Sequence, residues 1–306
     1  MERDYPRLIL GCGNFGGIGS APEAYEKGET LEQAIELMDA AWEAGIAWFD
    51  TADAYGGGRS ETYVGEWIRS RRPKGLRITT KTFNPMGVGE DRGLSPARVR
   101  RQIDMSLARL GVERVDLYLA HAWDPDVPVA ETAGVFEELV AVGKIAAYGL
   151  SNVGGAQLRE ALAAGSFAAV QDSYSLLDRE VEDEVLPLCA AHGLWFQVHS
   201  PLMGGWLTGK YRRDAPAPEG SRMTLRPGPY ESLRTDAVFD ALEALERRGD
   251  PATLALAWLL ADERVSVVIG PRRPSQLEPA LAALASPLPP GERAALSAEF
   301  GVVPRS

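Results

Sequence analysis

Short apolar runs alternate with helical patterns along almost the whole chain, and this alternation restricts the fold more than any other feature. Eight apolar or β-branched runs stand at Leu8–Cys12, Ala47–Asp50, Arg77–Lys81, Asp116–His121, Ala146–Leu150, Ala169–Asp172, Leu194–His199 and Val265–Ile269. Their continuous apolar character suits strands buried on both faces of a parallel sheet. Recognisable helix starts lie between them. Thr30 and Gln33 have the capping-box spacing, with Leu31, Ala34, Ile35, Met38, Ala41 and Trp42 at helical intervals. Ser60 reads as the cap of a helix carrying Val64, Trp67 and Ile68. Ser95-Pro96 and Asp250-Pro251 each set a capping residue before a proline at the first helical position. Further helices are expected near residues 129–142, 154–165, 178–191 and 274–285.

About eight strand–helix pairs fit two architectures, an open doubly wound sheet or a closed barrel. Their spacing over 306 residues, with no Ser/Gly linker, favours an α/β fold of the (β/α)8 TIM-barrel type, with residues 1–306 as a single domain. Trp42, Trp67 and Trp258 sit on helical stripes and are expected in the core. The longest irregular stretch, Tyr211–Tyr230, is rich in Pro, Gly and Arg. It follows the seventh strand, so a barrel would put it on the active face.

Charge and composition exclude several partners. The net charge of −11 argues against a nucleic acid, whose affinity comes from cation clusters. The basic group Arg69–Lys74 falls at a helix end, where cations suit the helix dipole. No apolar run reaches the ~20 residues needed to span a bilayer. The polar opening, Met1–Pro6, does not read as a signal peptide. Cys12 and Cys189 lie far apart with no CxxC, as expected of two reduced core thiols in a cytoplasmic protein. No metal site is expected, because three histidines with no HxH or HExxH are sparse. The rival metal reading would join His121 and His199 to Asp50 and Asp172.

Gly11-Cys12-Gly13-Asn14-Phe15-Gly16 matches GxGxxG after a strand. The dinucleotide fingerprint of that form needs a helix opening at the glycines. Gly17-Ile18-Gly19-Ser20-Ala21-Pro22 follows instead, which cannot begin a stable helix. Close backbone approach to a ligand remains a reasonable role for these glycines.

Strand ends carry the candidate chemistry. In a barrel, residues at the C-terminal ends of strands face the active side. Those ends hold Asp50, with Tyr55 on the next loop, then Lys81 and His121. A phenol near pKa ~10 is a poor acid at neutral pH, and an adjacent ammonium favours the phenolate. A unit-charge pair at ~4 Å is worth ~4 kcal/mol at an effective dielectric of about 20. That would lower a tyrosine by about two units at ~1.4 kcal/mol each. Asp50 would orient Lys81, and His121 would donate a hydrogen bond to a carbonyl oxygen. Read by placement alone, Asp50 and Lys81 could equally form a structural ion pair, with Tyr55 a wall residue and His121 a satisfied core histidine.

Phe49-Asp50-Thr51-Ala52-Asp53-Ala54-Tyr55-Gly56, followed by Ser60-Glu61 and Val64-Gly65, resembles the signature of the aldo-keto reductase family. The resemblance continues through Thr80-Lys81, Ser106–Gly111, Val115–Tyr118 to His121, Gly149–Asn152, Gln171, Tyr174–Arg179, Ser200–Tyr211 and Ile269–Leu281. It spans essentially the whole chain. It implies a barrel of NADP-dependent carbonyl reductases with the tetrad Asp50, Tyr55, Lys81 and His121. Tyr55 would protonate the oxygen of an aldehyde or ketone while NADPH gives a hydride to its carbon; oxidation of the matching alcohol or sugar is the reverse.

The resemblance also implies the cofactor contacts. Gly13 and Asn14 would approach the cofactor with Asp50. Ser151, Asn152 and Gln171 would bond the nicotinamide carboxamide. His199 stands where the family usually has an aromatic stacked on the ring, and an imidazole is smaller and can titrate. Ser200, Pro201, Leu202, Gly204 and Lys210 would follow the pyrophosphate, and Arg222 would close over it. Gly270, Arg272 and Gln276 would meet the adenosine end, with Arg272 on a 2′-phosphate. NADPH/NADP+ is therefore preferred, with NADH possible. Pro279 and Ala280 replace the Glu and Asn that many members carry at the adenine. Lys81, Lys210, Arg222 and Arg272 are expected to gather along one anionic dinucleotide, leaving the acidity to the general surface. Substrate contacts are expected from Phe15, Tyr55, His121 and Trp123, with Tyr25, Trp206 and Met223–Tyr230 as further wall candidates. The partner is a small carbonyl or alcohol; no nucleic acid or membrane is expected, and the oligomeric state is not written in the sequence. The alternative is a cofactor-bound, non-catalytic sensor or regulatory subunit of the same fold.

Overall fold

The alternation resolves into a ring of parallel strands. A computed structural model of the chain describes residues 5–301 except 88 and 90, so the polar opening 1–4 lies outside the described residues. The strands are β1 (Leu8–Gly11), β2 (Trp48–Asp50), β3 (Arg77–Thr82), β4 (Val115–Ala120), β5 (Ile145–Ser151), β6 (Ala169–Ser173), β7 (Trp195–His199) and β8 (Val265–Ile269). Each pairs in parallel with its neighbour in sequence, and β1 pairs with β8, Leu10 opposite Ile269, to close the barrel. Closure removes the free edges that a doubly wound sheet would keep.

Successive side chains on a strand take opposite faces. Leu8 and Leu10 pack outward into the large core beneath the helices, while Ile9 packs with Leu117, Leu119, Ala169, Trp195 and Val268 in a separate cluster. Both faces are largely buried, which is why the strands show no regular exposed-polar alternation. The inward parity decides what reaches the mouth. Two residues beyond inward Trp48 comes Asp50, and two beyond Leu119 comes His121. Gln171 follows Ala169 in the same way, and Gly270 follows Val268. On β7 the parity runs Trp195, Gln197, His199.

Outside lie α1 (Leu31–Glu43), α2 (Arg59–Arg71), α3 (Pro96–Leu110), α4 (Val129–Ala141), α5 (Gly155–Ala164), α6 (Val185–His192), α7 (Arg222–Leu225), α8 (Asp236–Arg248), α9 (Pro251–Leu260), α10 (Glu278–Ala285) and α11 (Pro290–Glu299). The Thr30–Gln33 capping box forms both bonds, at 3.3 and 3.0 Å. Asp250 Oδ2 accepts from Thr253 N at 2.8 Å. Two expected caps fail. Ser95 makes no side-chain cap bond, so Pro96 with its fixed φ opens α3 unaided. Ser60 lies inside α2, whose N-cap is Gly58. The helix expected from 178 begins only at Val185, because Pro187 is tolerated in a first turn but not an interior. α7, α8 and α11 are additions to the eight expected helices. The long stretch after β7 holds α7 and a 3-10 turn at Gly228–Leu233.

Trp67 and Trp258 are fully buried, and Trp42 packs edge-on against Trp67 at 5.8 Å between centroids. Cys12 and Cys189 are free and buried, and burial pushes the Cys189 thiol up to about 12. No helix among the described residues is long and apolar enough to cross a membrane.

Candidate active site

Asp50, Lys81 and His121 are brought to one end of the barrel by β2, β3 and β4, and Tyr55 joins them from the loop after β2. That loop turns sharply at Gly56, Gly57 and Gly58, with φ of 58°, 66° and 90°, before α2 begins. A Cβ at Gly56 would lie 2.7 Å from the carbonyl oxygen of Phe15, so the turn needs both the positive φ and the missing side chain. Lys81 Nζ donates to Asp50 Oδ1 at 2.5 Å, to Thr51 O at 3.0 Å and to Tyr55 Oη at 3.4 Å. Tyr55 Oη lies 3.4 Å from His121 Nε2. Lys81 and His121 therefore converge on one phenolic oxygen, with Asp50 behind Lys81.

The protonation states follow from the surroundings. Burial opposes the Lys81 charge, but Asp50 and Tyr55 outweigh it and hold the ammonium above its ordinary range. Lys81 does act to lower the Tyr55 pKa, but the expected net fall is corrected. Burial is the larger influence and pushes the phenol up; Lys81 opposes it, but Asp50 offsets part of that help. Tyr55 is thus a protonated phenol beside a neutralised ammonium. Burial and Lys81 hold His121 well below its usual range. Asn84 Nδ2 lies 3.3 Å from His121 Nδ1. An amide NH2 only donates, so Nδ1 accepts and the ring hydrogen sits on Nε2, facing Tyr55.

A second group continues from this cluster. Gln171 Nε2 donates to Asp50 Oδ2 at 2.8 Å and to Gln197 Oε1 at 2.7 Å, which fixes the aspartate. The amide nitrogen expected for a carboxamide is therefore committed to the protein. Asn152, at a φ of 57°, donates Nδ2 to His121 O at 2.8 Å and to Ser151 Oγ at 3.0 Å. Its Oδ1 accepts from His199 Nε2 at 2.9 Å, and His199 Nδ1 lies 3.1 Å from Ser200 Oγ. Burial and Lys81 push His199 down to about 4, so this imidazole stays neutral and does not titrate near pH 7.

The loops after β1, β7 and β8 gather charge. Gly13 faces the Tyr55 ring, where a Cβ would lie 3.4 Å from it. Ser200 has a φ of 55° and Gly204 a φ of 61°, and a Cβ on Gly204 would meet the Tyr230 ring at 2.5 Å. Arg222 donates to Asn14 Oδ1. Partial burial and the fields of Arg222 and Arg272 push the Lys210 ammonium down. Burial also pushes Arg222 down, with Arg272 adding to the effect. Three cations thus lie within one another's reach, with Glu29 as the carboxylate that touches Arg272. Pro201 and Leu202 lie in the same β7 loop, and Gln276 Oε1 accepts from Arg272 N at 2.8 Å. Gly270 opens to free space where a side chain would stand.

Residues 7–298 match the sequence pattern of the Aldo/keto reductase family. The chain belongs to that family. It is 34% identical over 296 residues to an NADH-specific methylglyoxal reductase of Escherichia coli, covering 90% of this chain and 89% of that protein. Among solved structures it resembles a glycerol dehydrogenase from Gluconobacter oxydans, with a TM-score of 0.84, 26% identity and coverage of 100% and 95% of the two chains. An aldo-keto reductase from Bacillus halodurans in its holo form gives a TM-score of 0.78, 28% identity and coverage of 98% and 93%. Family membership makes this chain an oxidoreductase of the carbonyl-reducing kind.

Several signature residues of this aldo-keto reductase prove to be framework. Ser60 Oγ donates to Cys12 O at 2.8 Å. Buried Glu61 accepts from Thr80 at 2.5 Å and from Arg109 at 2.7 Å, tying α2 to β3 and α3. Phe15, expected against substrate, has no exposed surface and packs in the core, as does Trp206 between Tyr211 and Phe239. Trp123 is half-buried beside the mouth residue His121. The rival metal set does not assemble: both oxygens of Asp172 accept backbone N–H groups, from Val153 and Ser173. Among the described residues no group of three or more His, Cys, Asp and Glu could hold a metal ion. Sequence reasoning missed Asn84, Gln197 and Glu29. The inward parity of β7 pointed to Gln197; nothing local marked the other two.

Proposed function

We propose that this chain reduces a small aldehyde or ketone, or oxidises the matching alcohol, with Tyr55 as the proton donor and a nicotinamide dinucleotide as hydride carrier. One observation carries the reading: the protonated Tyr55 hydroxyl lies 3.4 Å from both an ammonium and a neutral histidine N–H. The residues present fit the dinucleotide. Lys210, Arg222 and Arg272 outnumber Glu29, which suits a diphosphate. The Ser151, Asn152 and His199 groups offer polar and flat surfaces for a carboxamide-bearing ring. When bound, the dinucleotide supplies the hydride to the carbonyl carbon.

The chain's own part is to hold the oxygen and move one proton. His121 Nε2–H donates to the carbonyl oxygen and fixes its place. Tyr55 then transfers its proton to that oxygen. The phenolate left behind is stabilised by Lys81, whose ammonium is held by Asp50, itself fixed by Gln171. A high resting pKa suits this role, because the donor must carry its proton before the hydride moves. Trp123 is the proposed wall for the substrate. The relatives named for methylglyoxal and glycerol support a short, polar carbonyl or alcohol. The resemblance supports NADPH through Arg272, whereas the E. coli relative is NADH-specific.

The test is an assay of the purified protein with NADH or NADPH and a panel of short aldehydes including methylglyoxal. Aldehyde-dependent loss of reduced-nicotinamide absorbance is expected. Dinucleotide binding with no turnover on any carbonyl or alcohol would overturn the catalytic reading in favour of a sensor.

A further inference from the structure

Glu29 stands immediately before the Thr30 cap of α1 and is 3% exposed. Its backbone is laced to the loop after β1: Glu29 N donates to Asn14 O at 2.8 Å, and Gly16 N donates to Glu29 O at 2.9 Å. Gly28 permits this contact, since a Cβ there would lie 2.0 Å from Asn14 O and 2.3 Å from Gly17 O. The carboxylate is thereby fixed against Arg272, beside the cation cluster of Lys210, Arg222 and Arg272. Its Oε1 accepts from Arg272 Nε at 2.5 Å, while its Oε2 is buried without a hydrogen-bond partner. Arg272 Nη1 is turned to Gly220 O at 3.0 Å.

This geometry matters for a phosphate. A guanidinium binds phosphate best when its charge is free and two parallel N–H groups face the anion. Here the Nε edge is committed to a carboxylate, and the pair is neutral. A buried carboxylate with one unpaired oxygen is also a poor device for stability, because desolvation goes uncompensated. A dianionic 2′-phosphate would meet an arginine whose charge Glu29 already balances and whose Nε is already engaged. Lys210 and Arg222 are the contacts the resemblance implies for the diphosphate, which both dinucleotides share, so in this reading they do not discriminate between them.

We propose that Glu29 sets the dinucleotide preference: by neutralising Arg272 it withholds the contact that a 2′-phosphate needs, and leaves the site suited to the free ribose of NADH. The proposal rests on the reading of this cation cluster as a dinucleotide site.

The test titrates NADH and NADPH against protein tryptophan fluorescence in the wild type, Glu29→Gln, Arg272→Ala and the double variant. ADP and 2′,5′-ADP serve as competitors. The wild type binds NADH at least as tightly as NADPH, and 2′,5′-ADP gains nothing over ADP. Glu29→Gln tightens NADPH about tenfold or more and leaves NADH within about twofold; adding Arg272→Ala abolishes the gain. Glu29→Asp, which keeps the charge, retains the wild-type ratio. A wild type that favours NADPH and 2′,5′-ADP by about tenfold overturns the proposal, as does a Glu29→Gln variant with an unchanged NADPH-to-NADH ratio. The competitor comparison needs no variant, so it decides even if Glu29→Gln does not fold. Failure of all four ligands to bind the wild type would overturn the dinucleotide-site reading itself; binding with the wrong preference overturns only the role of Glu29.

Discussion

At the scale of the residue, two neutral histidines frame the proton donor. Burial and Lys81 depress both His121 and His199, the latter to about 4. A depressed histidine keeps its neutral form as pH falls through the usual 6.5, and protonates only lower. The kcat/KM profile should therefore show no histidine limb between about pH 6 and 8. Replacing His199 by Phe should leave that profile unchanged; a limb near 6.5 that vanishes in the variant would contradict the assignment. Asn84 selects the His121 tautomer from the loop beyond β3. Asn84→Ala should lower kcat about tenfold, or ~1.4 kcal/mol, with dinucleotide affinity unchanged. The meeting of Asp50, Tyr55, Lys81 and His121 was legible because the strand ends, the loop after the second strand and the motif resemblance pointed to the same four positions. Asn84 and Glu29 were not, because each acts through a partner distant in sequence. The sign of the Tyr55 shift was misread for a physical reason. Charge pairing with Lys81 favours the phenolate, but burial exceeds it.

At the scale of the element, turns decide the site more than helices do. The glycine turn after Tyr55 has no slack for a side chain. Gly56→Ala should lower the Tm and, by moving Tyr55, reduce kcat more than dinucleotide affinity; equal turnover would contradict the positioning role. Thr30→Ala should cost about 1 kcal/mol of stability, read by denaturant unfolding, with no change in kcat. Helix starts were legible where a side chain does the capping, as at Thr30 and Asp250. They were misread where a serine served another partner: Ser60 turns to Cys12 O and Thr51. α8 went unread although Val238, Ala241, Leu242 and Leu245 recur at helical spacing and Thr235 caps it.

At the scale of the whole molecule, the barrel follows from the eight apolar runs, and closure makes their inward positions converge at one mouth. Polar groups buried at that end carry a stability cost. Burial raises Asp53 to about 7, against an ordinary 3.8, despite a 2.7 Å hydrogen bond from Thr82. The raised value means that folding favours the protonated carboxyl. Stability is full below pH ~4, falls as pH rises through about 7, and does not recover above it. Asp53→Asn should therefore show a smaller drop in Tm between pH 5 and 8 than the wild type. An identical drop would place the titration elsewhere. The net charge of −11 coexists with a local excess of cations at Lys210, Arg222 and Arg272, a contrast that composition alone could not locate.

The central claim is that Tyr55 delivers the proton. Single-turnover reduction by Tyr55→Phe, measured beside its dinucleotide affinity, tests it most directly. The rate should fall by about 10²–10⁴-fold, as for loss of a general acid, with the dinucleotide Kd unchanged within about twofold. An undiminished rate would contradict the mechanism outright.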